Sequence, residues 1–273
     1  MLNDEILEKY IQSFFGYGNL NSDYWFVSLE EGGNNSEEDI QKRLNIWKKR
    51  GSKQLEDCKS FHLEFGTEEH KKWFGFDNKK YINPRLQSTW RNYIRLFFYA
   101  TKNKKFIEIQ DETKQKEIMR RFQRDNFGSL NGDMAIMELR PLPARSTSKK
   151  HWIYNSVSKI DYLKDKDTYI RYIDNLRIKK LKEFVDKYNP KYVVFFSTSK
   201  EIKPKWLKII DTKINENLDL GFCFFETKRN GTNYFIIEHA VAKDFLINKN
   251  GDRKKGLGND YFDKVGKYIS NLQ

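Results

Sequence analysis

Short apolar runs bounded by turn residues alternate along this chain with longer stretches whose apolar residues recur at helical spacing. The runs YWFVSL (24–29), DMAIMEL (133–139), KYVVFFS (191–197), GFCFFE (221–226) and NYFIIE (233–238) have strand length and are rich in β-branched and aromatic residues, which predicts β-strands. Helical spacing predicts helices over 36–49, 88–100, 112–123, 168–188, 204–211 and 259–272. The first of these opens on Ser36 with Asp39 in capping position. The first three apolar runs stand far apart with helices between them, which argues a parallel sheet covered on both faces. The last two are joined by TKRNGT, whose Asn230-Gly231 predicts a hairpin turn. The aromatics of IRLFFYA (94–100) fall at helical spacing and are read as core. No repeat, low-complexity linker or Pro/Gly-rich hinge interrupts the 273 residues, so a single α/β domain over 1–273 is expected.

Composition narrows the class. A hydrophobic content of 38% with 42 aromatic residues can fill a core. No stretch nears the roughly 18 apolar residues of a membrane span, and the acidic start MLNDEILEKY lacks the layout of a signal peptide. A soluble cytoplasmic monomer without membrane contact is expected. Cys58 and Cys223 are too few for a disulfide framework, an all-cysteine zinc site or an iron–sulfur cluster. The net charge of +13 is uneven: residues 1–40 carry −8 and the remainder +21, with a local +8 over 140–182. A basic body attracts phosphate, and acidic groups confined to one segment suit a carboxylate enzyme acting on nucleic acid.

In an open α/β sheet, ligands bind outside the carboxyl ends of the strands. The first run ends in Glu30, Glu31, Gly32, Gly33, Asn34 and Asn35, and the second in Glu138 and Arg140. The third ends in Ser197, Thr198 and Ser199, and the last in Glu238 and His239. Each run empties into proton-handling chemistry, and it is this convergence that marks a site. Gly32 and Gly33 allow backbone amides to approach a substrate closely. Neither GxGxxG nor GxxxxGK[ST] occurs, so no nucleotide cofactor is expected. Gly16 and Gly18 in GYGN stand before the first predicted strand, on the wrong side for a phosphate loop.

These residues resemble the uracil-DNA glycosylase superfamily. SLEEGG (28–33) stands where the family's first motif would, with Ser28 at its glycine, Glu30 at its catalytic position and Glu31 at its proline. HAV (239–241) stands where its His-Pro-Ser motif would, Ala240 replacing the proline. ELRPLPA (138–144), YNPKYVVFFS (188–197) and GLGNDYFDKVGKYI (256–269) are similar to the family's middle strand, helix-to-strand unit and last helix. The resemblance implies a central, mostly parallel four-stranded sheet between helices, and cleavage of an N-glycosidic bond in DNA without metal or cofactor.

Such cleavage builds positive charge on the sugar and negative charge on the base, so it needs an anion near the one and donors near the other. Glu30 is the first choice for the anion, with Glu31 the runner-up, and His239 is placed to donate to the base or a phosphate. Glu138 takes the place of the Asn that reads uracil in uracil-excising relatives. A carboxylate can accept from the N4 amine of cytosine, and its protonated form can serve N3. Removal of ordinary cytosine would destroy the host genome, so a modified cytosine is expected, as in phage DNA, and the resemblance to defence glycosylases of the superfamily implies a defence role; alternatively, Glu138 merely pairs with Arg140 or a nearby Lys. Arg140, Ser197, Trp152 and Tyr154 complete the expected base-side set, with core packing the alternative for Trp152. Phosphate contacts are expected from Asn34, Arg145, Lys149, Lys150, Lys243, Lys249, Arg253, Lys254 and Lys255, and a wedge from Phe245 or Leu246, although the loop 242–258 also reads as merely solvated. His62, His70 and His151 are read as ordinary surface or partly buried side chains. The rival readings are a nuclease binding Mg²⁺ or Mn²⁺ through Glu30, Glu31, Glu138 and His239, and a non-catalytic nucleic-acid binder.

Overall fold

The computed structural model describes residues 1–33, 36–77, 80–144, 151–217, 224–239, 246–247, 253–254 and 258–272. The order opens with α1 (Asp4–Ser13), β1 (Gly16–Gly18), β2 (Tyr24–Gly32), α2 (Glu37–Lys49), β3 (Leu55–Glu56), α3 (Cys58–Phe65) and α4 (Glu68–Trp73). An antiparallel pair, β4 (Phe76–Asp77) with β5 (Lys80–Tyr81), precedes α5 (Ser88–Ala100), α6 (Lys104–Ile107), α7 (Glu112–Asp125) and β6 (Met134–Ala144). Next come α8 (Tyr154–Val157), α9 (Lys166–Tyr188), β7 (Tyr192–Phe196), α10 (Lys203–Ile210), β8 (Asn215–Asn217), β9 (Phe224–Arg229) and β10 (Thr232–Ile237). A second small pair, β11 (Leu246–Ile247) with β12 (Arg253–Lys254), leads to α11 (Gly258–Ser270).

Eight strands make one mixed sheet in the order β3-β1-β6-β2-β7-β10-β9-β8. The expected four-stranded sheet is therefore too small. Its parallel run exists, since β6, β2, β7 and β10 pair in parallel. Beyond it, β1 joins β6 antiparallel with β3 outside it, while β9 and β8 extend the far side antiparallel. The missing strands are short and carry no apolar signature: GYG, LE and NEN. Gly16 and Gly18 belong to β1 and lie at φ +135° and +102°, where a Cβ would stand 2.1 Å from Ile136 O and 2.3 Å from Met134 O. Glycine is what lets β1 reach β6 that closely. Asn230 and Gly231 both take positive φ between β9 and β10, as the predicted hairpin requires.

The parallel strands alternate cleanly between two cores. Tyr24, Phe26, Ile136, Val194 and Phe235 face a large core shared with α1, α2, α3, α5 and α11. Trp25, Val27, Met137, Phe195 and Ile236 face a smaller one closed by Ile178, Leu181 and Val185 of α9 and by Trp206, Ile209 and Ile210 of α10. Burial on both faces is why these strands read as continuous apolar runs. The aromatics of 94–100 are core, as expected. A buried ion pair, Arg95 Nε to Asp263 Oδ1 at 2.8 Å, ties α5 to α11. Among the described residues no helix is long and apolar enough to cross a membrane.

The chain runs from β2 to β6 on one side and from β7 to β10 on the other. Connections leaving the adjacent strands β2 and β7 therefore diverge, and such a divergence opens a crevice at the carboxyl ends.

Candidate active site

A cleft of about 640 Å³ lies at those carboxyl ends, between β2, β6, α4 and α5. Ser28 and Glu138 are register partners on β2 and β6 and face the same side. Two residues further along β2 the strands lose step: Glu30 faces Arg140, but Gly32 faces Ala144. The extra residues on β6 include Pro141 and Pro143, which cannot donate to a ladder. Through this irregularity Glu30 and Glu31 both line the cleft, together with Ser28, Gly32, Gly33, Glu138 and His239. Thr67, Glu69, His70 and Trp73 from the α4 side and Gln87, Thr89, Trp90 and Tyr93 from the α5 side form the opposite wall. The Trp73 and Trp90 rings meet edge-on at 5.1 Å, and His70 meets Trp73 edge-on at 4.6 Å. Asp39 adds a further carboxylate, and among the described residues no Lys or Arg lines the cleft.

The three central carboxylates sit in different surroundings. Glu31 accepts from Arg43 Nη2 at 2.7 and 2.8 Å and from Tyr17 Oη at 2.9 Å. His62 Nδ1 donates to Cys58 O at 2.6 Å, which turns Nε2 toward Glu31 Oε1 at 3.6 Å. Burial by itself would raise the Glu31 carboxyl, but the Arg43 guanidinium and His62 overcome it and hold Glu31 well below the usual carboxylate range. Glu30 pairs with Lys166 Nζ at 2.9 Å, where both side chains are largely buried. Among the described residues Glu138 makes no ion pair of this kind. Its Oε2 is buried without a hydrogen-bond partner among the described residues. Burial first, then the charges of Glu31 and Glu30, push Glu138 well above the usual range, with Arg177 and Arg43 opposing weakly. Arg177 instead fixes the local backbone, donating to Glu138 O at 2.8 Å, Leu139 O at 3.0 Å and Phe14 O at 2.7 Å. Tyr93 hydrogen-bonds Ser28 Oγ beside Glu138. Burial lowers His239, and burial with His62 lowers His70 to about 4, so both imidazoles are neutral near neutral pH.

The other expected residues are placed elsewhere. Arg140 lies outside the cleft lining, making a two-bond ion pair with Asp174 at 2.9 and 3.0 Å. Glu138 thus does not depend on it for a partner. Trp152 is buried with Nε1 donating to Leu163 O at 2.7 Å, and Tyr154 is buried with its hydroxyl on Pro143 O at 3.1 Å. These two rings pack against each other at 4.8 Å and do not line the cleft, so the core alternative describes Trp152. Ser197 follows β7 at φ 108°, a rare conformation for a residue with a side chain, and it also lies outside the lining. Thr198 Oγ1 donates to Glu238 Oε1 at 2.7 Å, closing the ends of β7 and β10 together. Arg253 and Lys254 form β12. Asn34, Arg145, Lys149, Lys150, Lys243, Phe245, Lys249 and Lys255 lie outside the described residues.

Sequence reading missed much of the surroundings: Tyr17, Arg43 and His62 around Glu31, Lys166 on Glu30, and the His70, Trp73, Trp90 and Tyr93 wall. A usable signal existed for α3, where Asp57 accepts from Ser60 N as an N-cap and Phe61 and Phe65 recur one turn apart. Among the described residues no three His, Cys, Asp or Glu side chains are grouped so as to hold a metal ion. A cation ligated by Glu31 would have to displace the guanidinium of Arg43. Comparison with protein-family models, with curated proteins and with solved structures finds no match for this chain.

Proposed function

We propose that the protein is a DNA glycosylase that hydrolyses the N-glycosidic bond of a flipped, modified cytosine-type base and leaves an abasic site. The observation that carries this reading is the cleft itself: three carboxylates from adjacent strand ends face an aromatic wall, and no Lys or Arg lines it among the described residues. Glu31 and Glu30 engage the neighbouring cations Arg43 and Lys166, so the cleft offers phosphate little attraction but admits an uncharged ring. The DNA backbone then stays on the outer surface of a chain of net charge +13, and the base enters alone. Half-buried Trp73 and Trp90 offer faces and edges for a ring. Glu30, with Glu31 behind it, supplies the negative charge that an oxocarbenium-like sugar needs, and Glu138 meets the base edge. The cleft volume of about 640 Å³ belongs to the range that buries drug-sized ligands.

The test is to incubate the protein, with EDTA present, on unmodified DNA, uracil-containing DNA and DNA bearing modified cytosine, and to count abasic sites by alkaline cleavage. Abasic sites in the modified DNA are expected. Strand scission without alkali that EDTA abolishes would replace this reading with the metal-dependent nuclease, and abasic sites in uracil DNA alone would replace modified cytosine with uracil.

A further inference from the structure

We propose that Glu138 is the general acid of this site, a neutral carboxyl that hands its proton to the departing base. The inference rests on the glycosylase reading and goes beyond it, because a residue that only reads the base edge need not transfer anything. Three features of the geometry carry it. Glu138 lines the cleft with Oε2 buried and lacking a hydrogen-bond partner among the described residues. A buried carboxyl oxygen left that way is costly when ionised and less so when the group carries a proton. The register places Glu138 opposite Ser28, two residues before Glu30 on the neighbouring strand, so the acid and the sugar-side anion stand on adjacent strand ends. Finally, the charged groups around it favour the proton. Burial raises Glu138 most, then the charges of Glu31 and Glu30 of β2; the hydroxyl of Tyr93 on α5 stays protonated beside it, and Arg177 of α9 and Arg43 of α2 oppose without prevailing. Glu31 held low and Glu138 pushed high on neighbouring strands are the kind of divided carboxyl pair that separates acid from anion in a hydrolase site.

The step balances. The bond from C1′ to the base breaks with its electron pair going to the base, and the Glu138 proton moves to a ring nitrogen or carbonyl oxygen conjugated with that pair. Water adds to C1′ and gives its proton to the Glu30 carboxylate. Free base and abasic sugar leave, and the proton passes from Glu30 to Glu138 through solvent. The substrate is thereby restricted to bases with a proton-accepting atom at the Glu138 edge, which modified cytosines possess at O2 and N3.

Glu138→Gln keeps the shape and a hydrogen-bond donor but cannot give up a proton. With the modified-cytosine DNA, it is expected to lower kcat by about 100-fold or more with little change in KM. The wild-type rate should fall at alkaline pH as Glu138 ionises, and the variant should lack that limb. The loss should shrink on an analogue whose base carries a ring fluorine, because its anion needs less help to leave. A variant with wild-type kcat and an unchanged pH profile overturns the acid role while the glycosylase reading stands. Carboxyl ¹³C titration of Glu138 by NMR gives a readout that needs no turnover: protonation persisting near neutral pH supports the proposal, and an ordinary carboxylate titration overturns it. Absence of base release by the wild type from every DNA removes the glycosylase reading, and the acid role falls with it.

Discussion

Glu31 and Glu138 lie on neighbouring strands but are governed by opposite physics, and each makes its own prediction. Glu31 is buried against Arg43 at 2.7 Å, and its carboxyl is held below the ordinary range. The pair therefore stabilises the fold fully above the unfolded carboxylate value of about 4.3, and the gain fades as pH falls through the lowered folded value. Arg43→Met should cost ~3–5 kcal/mol at neutral pH by leaving a buried charge unpaired, and less in acid, where Glu31 can take up a proton. Urea denaturation at the two pH values checks this, and an equal loss at both would contradict it. Glu138 runs the other way. Its raised carboxyl favours the fold below the ordinary carboxylate range, and that contribution is lost as pH rises. Glu138→Gln should therefore stabilise the protein at neutral pH by ~1–2 kcal/mol, seen as a higher Tm, the usual trade when a strained site residue is removed. Glu30→Gln should lower base release by at least ~100-fold while DNA binding holds or tightens, measured by single-turnover kinetics and titration. Near-normal turnover in that variant would move the anionic role to Glu31. The carboxylates were legible in sequence because each stands at the end of an apolar run. Their partners were not, since Tyr17, Arg43 and His62 come from three other elements and only the fold brings them to Glu31.

Among the elements, the sequence pattern is most faithful where burial is strongest. The helix read over 88–100 has those bounds, and its interior is almost wholly buried. The long helix starts at Lys166, two residues earlier than read, because Asp165 caps it by accepting from Thr168 N. β6 runs on to Ala144 through two prolines that argue against a strand, and the resulting slip in register is what turns Glu30 and Glu31 together into the cleft. β1 is absent from the predicted strands, since three residues with two glycines give no periodicity. Its role is steric, and Gly16→Ala tests it. A Cβ there would meet Ile136 O at 2.1 Å with φ at +135°. The variant should lose at least ~2 kcal/mol and loosen the neighbouring β6, with faster amide exchange at Ile136 and Met137. Unchanged stability would mean that β1 is not held against β6 as described.

For the whole molecule, the parallel core of four strands was visible as apolar runs, whereas the flanking strands that widen the sheet to eight were too short or too polar to be read. Charge is uneven in the same way: among the described residues no Lys or Arg lines the cleft of a chain of net +13. If phosphates dock on that outer surface, affinity for DNA should fall about tenfold or more between 50 and 200 mM salt, as for two or more neutralised phosphates. A flat response, measured by fluorescence anisotropy, would oppose phosphate-led docking. The most direct test of the central claim is the mass of what is released. DNA containing modified cytosine, incubated with the protein in EDTA and filtered, should yield the free modified base by mass spectrometry, with the strand left intact and abasic. Modified mononucleotides or oligonucleotides in the filtrate, or no low-mass product at all, would contradict the account.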